Sequence, residues 1–366
     1  MGNIYHQKLA KILVHYSLKL QPGHLLVIEA PNHTEPLVRE VYREAIQAGA
    51  HPEVFFSSAD LTEILLREGT HEQLQYKSPW SRAIIEESNA LLTIWSDLNT
   101  RHLSGIDPER QAIRKRVHTP DFKRMSERLG AGLMRWCGTL YPTNAYAQDA
   151  GMSLSAYEDF VYRSGKLDLD DPVAAWQKVA AEQERIAKYL EQHDEIHILA
   201  PGTDLTYRMG GRKWINCAGT ENFPDGEVFT GPIENSVNGH ITFSYPAIYS
   251  GNEVADVYLT FRDGRVIESN ASRGLDYLNT MLDLDEGARS VGEVAFGLNY
   301  DIQHFTKDIL FDEKIGGTMH MALGASIPES GGVNDSGLHW DMVCDLHKGQ
   351  VYADGQLCYK EGKFLI

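Results

Sequence analysis

Read as a β-strand, Gly337-Leu338-His339-Trp340-Asp341-Met342-Val343-Cys344 puts His339, Asp341 and Val343 on one face, because side chains alternate with period two. Trp340, Met342 and Cys344 then form the opposite, apolar face. An imidazole and a carboxylate one repeat apart point the same way, close enough to share or bridge metal ions. A half-buried strand with a solvated outer face fits the same spacing, so this segment needs company. Gly316-Gly317-Thr318-Met319-His320-Met321-Ala322-Leu323-Gly324 has the same design. Alternation sets His320 beside Thr318 and Ala322, with Met319, Met321 and Leu323 toward a core. Small neighbours leave room around the imidazole, and the flanking glycines allow close backbone approach.

Two acidic segments complete the set. Glu227 follows the turn Pro224-Asp225-Gly226 and precedes Val228 and Phe229, which read as core anchors. Glu293 lies among small and apolar residues in Ser290-Val291-Gly292-Glu293-Val294-Ala295-Phe296-Gly297. A carboxylate in such surroundings costs several kcal/mol unless it is paired or coordinated. Glu227, Glu293, His320, His339 and Asp341 make an inventory of oxygen and imidazole ligands that suits one or two Zn²⁺, Co²⁺ or Mn²⁺ ions, with no thiolate.

The elements that must position these residues are legible in outline. In the first half, apolar residues at Leu9, Ile12, Leu13, Tyr16 and Leu20 mark a helix over residues 5–20. Leu25-Leu26-Val27-Ile28-Glu29-Ala30 reads as a buried strand, followed by a helix over 35–48 and a second strand at His51-Pro52-Glu53-Val54-Phe55-Phe56. Leu91-Leu92-Thr93-Ile94-Trp95 and Gly132-Leu133-Met134-Arg135-Trp136 are the expected third and fourth. Strands and helices alternating at this spacing predict an α/β domain with a mostly parallel sheet. Ala30-Pro31-Asn32-His33-Thr34 contains no glycine, which argues against a dinucleotide fingerprint there. Asp171-Pro172 starts a further helix whose buried side is Val173, Trp176, Val179, Ile186 and Leu190. Beyond His193-Asp194 glycine becomes dense and β-branched residues alternate with polar ones, as in Asp256-Val257-Tyr258-Leu259-Thr260-Phe261 before the Asp263-Gly264 turn. The expected division is therefore 1–194, an N-terminal α/β domain, and 195–366, a strand-rich α+β catalytic domain.

Composition narrows the function classes. A chain of 366 residues exceeds the size at which single cores stop growing, roughly 250–300 residues, and two domains are the default. The formal charge of −17 disfavours phosphate backbones and anionic lipid, so neither nucleic acid nor membrane is an expected partner. Cys137, Cys217, Cys344 and Cys358 are widely spaced and form neither a zinc knuckle nor a disulfide framework pattern. Met1-Gly2-Asn3-Ile4-Tyr5-His6 leads into no apolar signal core and lacks the Ser or Thr of a myristoylation motif. A cytoplasmic protein is expected.

The four segments, in this order, resemble the motifs of the thermophilic aminopeptidase T (aminopeptidase S) family of metallopeptidases. They stand here as Glu227-Val228-Phe229-Thr230, Gly292-Glu293-Val294-Ala295, Gly317-Thr318-Met319-His320-Met321-Ala322-Leu323-Gly324 and His339-Trp340-Asp341. Pro36-Leu37-Val38-Arg39, Ala48-Gly49-Ala50-His51-Pro52 and Tyr157-Glu158-Asp159-Phe160-Val161-Tyr162 extend the likeness to the first half, so that it covers essentially the whole chain. The resemblance implies a two-metal site with Glu227, Glu293, His320, His339 and Asp341 as ligands. It also implies a cytoplasmic homodimer that removes N-terminal residues from peptides by a metal-activated water. The chain departs from the family at Ile327, where a tyrosine is often found seven residues after the motif histidine. If that tyrosine stabilises the oxyanion, this chain uses another donor or is slower.

Glu313, in Asp312-Glu313-Lys314-Ile315, is the candidate general base; a solvated turn carboxylate is the plain alternative. Two further functional readings stand beside the peptidase. His320, His339 and Asp341 alone match the two-histidine, one-carboxylate triad of a non-haem Fe(II) ring-cleaving dioxygenase. A relative that binds metal or peptide without turnover is the other.

Overall fold

The computed structural model describes residues 3–366; the reading of Met1 and Gly2 lies outside them. Contacts divide the chain into Met1–Val173 with Gly219–Pro224, and Ala174–Ala218 with Asp225–Ile366. The division falls earlier than the expected 194/195. The helix Pro172–Leu190 contributes Ile186, Ala187 and Leu190 to the hydrophobic core of the second unit, which is why it counts there from Ala174 onward.

The first unit is built on a five-stranded sheet in the order His51–Ser57, Leu25–Pro31, Ala90–Trp95, Arg135–Leu140, Asn222–Phe223. Every neighbouring pair is parallel, as an alternation of apolar runs and helices requires. Leu26, Val27 and Ile28 are buried, as are Leu91, Leu92 and Ile94. The fourth strand begins at Arg135, three residues later than the 132 expected from sequence. Gly132 takes a positive φ of 66° just beyond the helix Pro108–Gly130 and closes it as a left-handed cap. The short fifth strand is a return of the chain from the second half, and it was not foreseen. The first helix is regular over Ile4–Lys11 and then opens into a π-helical turn, Ile12–Ser17, that still buries Ile12, Leu13 and Tyr16.

The second unit holds an eight-stranded and a five-stranded sheet, both antiparallel. The Asp263-Gly264 turn joins Tyr258–Arg262 to Arg265–Asn270, with both turn residues at positive φ. The five-stranded sheet runs His339–Asp345, Thr318–Gly324, Val291–Gly297, Glu227–Thr230, Ile215–Cys217. One of its faces carries Val228, Val294, Phe296, Met319, Met321, Leu323, Trp340, Met342 and Cys344, all part of the unit's core. This apolar face anchors the sheet: each such side chain contributes roughly 1.5–3 kcal/mol when fully buried. The opposite face is the one that carries the candidate ligands.

Candidate metal centre

The register of the five-stranded sheet arranges that face in rows. Glu293 pairs with Ala322, and Ala322 with Asp341. Ala295, His320 and Val343 form the next row, and Gly297 links Glu227 to Thr318 in the one after. On the far side Gly324 pairs with His339. The floor between the candidate ligands is thus Gly297, Ala295, Ala322 and Gly324, residues too small to fill it. A bulge at Val291/Glu293 sets the phase of the central strand. Gly292 sits in that bulge because a Cβ there would meet the carbonyl oxygens of Ala325 at 2.2 Å and Gly324 at 2.4 Å.

All five expected residues converge. His320 Nε2 lies 3.2 Å from Glu293 Oε1, 3.6 Å from Glu227 Oε2 and 3.9 Å from Asp341 Oδ1. His339 Nε2 lies 3.6 Å from Asp341 Oδ1 and 3.8 Å from Glu293 Oε2. Both rings spend their other nitrogen on the main chain: His320 Nδ1 bonds the carbonyl of Glu313 at 3.0 Å and His339 Nδ1 that of Ala325 at 2.9 Å. A carbonyl accepts only, so Nδ1 carries a hydrogen and each Nε2 is the ring nitrogen that faces the carboxylates. Glu227, Glu293 and His320 are buried, while the His339 side chain is 36% exposed and forms the open edge.

Electrostatically the cluster is short of positive charge. Burial pushes the Glu227 carboxyl well above the usual range, Lys314 pulling it back. Asp341 is pushed up to about 6, again chiefly by burial, with His339 opposing. For His320 burial disfavours the cation, but the bond to Glu293 and the charges of Glu227 and Asp341 outweigh it and carry the ring up to about 10. Glu227 Oε2 and Glu293 Oε2 are buried with no hydrogen-bond partner among the described residues. Two orphaned carboxylate oxygens facing two imidazole Nε2 atoms, which a divalent cation would hold in place of a proton, are what such a cation would satisfy, and the residues therefore fit a metal. Glu293, His320 and Asp341 offer ligand atoms within 4.8 Å of one another.

The surroundings add residues that sequence reasoning missed. Lys314 is fully buried, its ammonium 3.6 Å from Glu227 Oε1 and bonded to Glu313. Glu313 is only 15% exposed, so it is not a solvated turn charge. Asp225, read from sequence as a turn residue, is buried, and with Cys217 and Glu227 it forms a second close group of ligand-type atoms. Gln183 donates to the carbonyls of Cys217 and Glu227 at 2.8 and 2.9 Å and so ties the edge strand Ile215–Cys217 to its neighbour Glu227–Thr230. No periodicity marks any of these in the sequence. Ile327 precedes a short 3-10 turn, Pro328–Ser330, and offers the site no phenol.

The model of the family described as thermophilic metalloprotease (M29) matches residues 5–364. Aminopeptidase 2 of Geobacillus stearothermophilus is 31% identical over 393 aligned positions, covering 95% of this chain and 94% of that protein. Aminopeptidase T of Thermus thermophilus is 27% identical, with 95% of each chain covered. Among solved structures, wild-type AmpT from Thermus thermophilus superposes with a TM-score of 0.86 at 25% identity over 99% of both chains.

Proposed function

Because this chain belongs to the thermophilic metalloprotease (M29) family, we propose that Glu227, Glu293, His320, His339 and Asp341 hold two divalent ions in the active site of an aminopeptidase. The observation that carries the reading is the pair of orphaned, buried oxygens of Glu227 and Glu293 facing two imidazole Nε2 atoms. When bound, such ions lower the pKa of water toward roughly 7 and polarise a scissile carbonyl. The protein's own residues do the rest. The carbonyls of Glu313 and Ala325 hold the imidazoles in the ligating tautomer. Glu313, whose charge reaches Asp341 and His339, is the group proposed to take the proton from the attacking water and return it to the leaving amine. His339, at the exposed edge, lies where substrate enters.

The ligand set of imidazole and carboxylate suits Zn²⁺, Co²⁺ or Mn²⁺. No helix among the described residues is long and apolar enough to cross a membrane; a cytoplasmic homodimer acting on peptides is the setting we propose, and light scattering of the purified protein tests the dimer. The dioxygenase reading is dropped. It uses only three of the ligands, whereas Glu227 and Glu293 stand against the same imidazole, and the matching relatives are named aminopeptidases. The test is release of free amino acids from mixed short peptides by chelated protein with each metal added back. Metal-restored release of N-terminal residues, absent in His339→Ala, supports the proposal. No release with any metal sinks it.

A further inference from the structure

Lys314 has no part in the chemistry just proposed, yet its ammonium is among the most deeply buried charges of the second unit. A buried ammonium is unfavourable by several kcal/mol unless paired and hydrogen-bonded, so its placement has a structural cause. Its partners are two: Glu313, to which it donates, and Glu227, whose Oε1 lies 3.6 Å away. Glu227 therefore has two different neighbours. Oε1 faces the ammonium; Oε2, with no hydrogen-bond partner among the described residues, faces His320 Nε2 at 3.6 Å. The main chain beside Lys314 does related work, since the Glu313 carbonyl orients His320 from the other side. The lysine's own backbone is fixed as well, its carbonyl accepting from Asn299 N at 3.1 Å and its N–H donating to Phe311 O at 3.0 Å.

We infer that Lys314 is a positioning residue: it clamps Glu227 by Oε1 so that Oε2 alone is presented to the metal centre, and it holds Glu313 beside it. This rests on the metal-centre reading above. The clamp also reaches the second group of ligand-type atoms, Cys217, Asp225 and Glu227. Lys314 sets a buried positive charge 3.6 Å from Glu227, one member of that group. Without the ammonium, Glu227 is free to rotate or to draw a hydrogen-bond partner with both oxygens, and the centre loses a pre-set ligand.

The test measures Zn²⁺ affinity of chelated protein by competition with a chromophoric chelator, together with thermal melting of the metal-free protein. Lys314→Met is expected to bind Zn²⁺ about 10- to 100-fold more weakly than wild type, the usual cost of removing a residue that orients a ligand. Lys314→Met also strips Glu227 and Glu313 of their cation, so the double variant Lys314→Met/Glu313→Gln carries the comparison where the single one does not fold. It is expected to bind Zn²⁺ about 10-fold or more below Glu313→Gln alone, at a similar melting temperature. Affinity within about twofold of Glu313→Gln overturns the clamp, since a purely structural lysine would leave metal binding alone once the protein is folded. Glu293→Ala in the same assay separates the two readings. If it binds Zn²⁺ as wild type does, the metal-centre reading has failed and the clamp falls with it; if it binds weakly while the Lys314 variants do not, only the clamp is wrong.

Discussion

His320 and Asp341 sit diagonally across neighbouring strands, with Val343 directly opposite the first and Ala322 directly opposite the second. The diagonal brings His320 Nε2 to 3.9 Å from Asp341 Oδ1. It also leaves the methyl of Ala322, rather than a larger group, between Glu293 and Asp341 in their common row. Diagonal pairs are normally too far apart for short side chains, so the emptiness of that central position is what lets the ligands meet.

Ala322→Leu should fill the space. Overpacking a buried site costs about 1–3 kcal/mol, which a domain of this size tolerates, but the added branch occupies the volume where an ion would sit. We expect a folded protein that retains less than half the metal of wild type after dialysis, measured by elemental analysis. Full retention of metal would falsify the placement of the ion above this row.

Removing the metal should lower the melting temperature. Binding at 100 times Kd contributes about 2.7 kcal/mol, and about 2–4 °C accompanies each kcal/mol for chains of 150–250 residues, so a drop of roughly 5–10 °C is expected on chelation. The sign follows from the unpartnered oxygens of Glu227 and Glu293, whose burial is uncompensated without a cation. Calorimetry with and without chelator checks it; an unchanged transition would mean the cluster holds nothing in solution.

Glu313→Gln should separate binding from chemistry. The amide keeps the shape but cannot take a proton, and loss of a general base reduces kcat by about 10²–10⁴-fold. Metal content should stay at the wild-type ratio, because the interaction of Glu313 with His320 runs through its main-chain carbonyl. Unchanged kcat at normal metal content removes Glu313 from the role of base.

Gly292→Ala tests the bulge. The new methyl would lie 2.2 Å from Ala325 O and 2.4 Å from Gly324 O, so the backbone must move, and Glu293 is the next residue. Both the melting temperature and Zn²⁺ affinity are expected to fall. An alanine variant with wild-type affinity would show that the position of Glu293 does not depend on the bulge.

The site face was legible because period-two alternation is a local property. His339 and Asp341, or Thr318, His320 and Ala322, share a face whatever else the chain does. The parallel sheet was legible for a similar reason, in runs such as Leu25-Leu26-Val27-Ile28. What escaped depends on contacts between distant segments. Lys314 meets Glu227 across the fold, not along the chain, and a lysine in a short turn reads as solvated. Asn222–Phe223 joins the first unit's sheet only because Thr139 and Gly138 offer it an edge. The fourth strand was displaced by a left-handed glycine cap at Gly132, a conformation that sequence pattern alone does not distinguish from a strand glycine.

The two faces of the five-stranded sheet also set how this protein tolerates change in length. An insertion of one residue within Thr318–Gly324 or His339–Asp345 would exchange Met321 for His320, or Trp340 for Asp341, sending ligands into the core and apolar groups into the site at one stroke. The connecting loop between Ala325, which holds His339, and the buried Leu338 can take up added residues without altering either strand's phase. Length variation compatible with activity is therefore confined to such loops, and a deletion scan across residues 316–345 should show function surviving in the loop and vanishing abruptly at both of its borders.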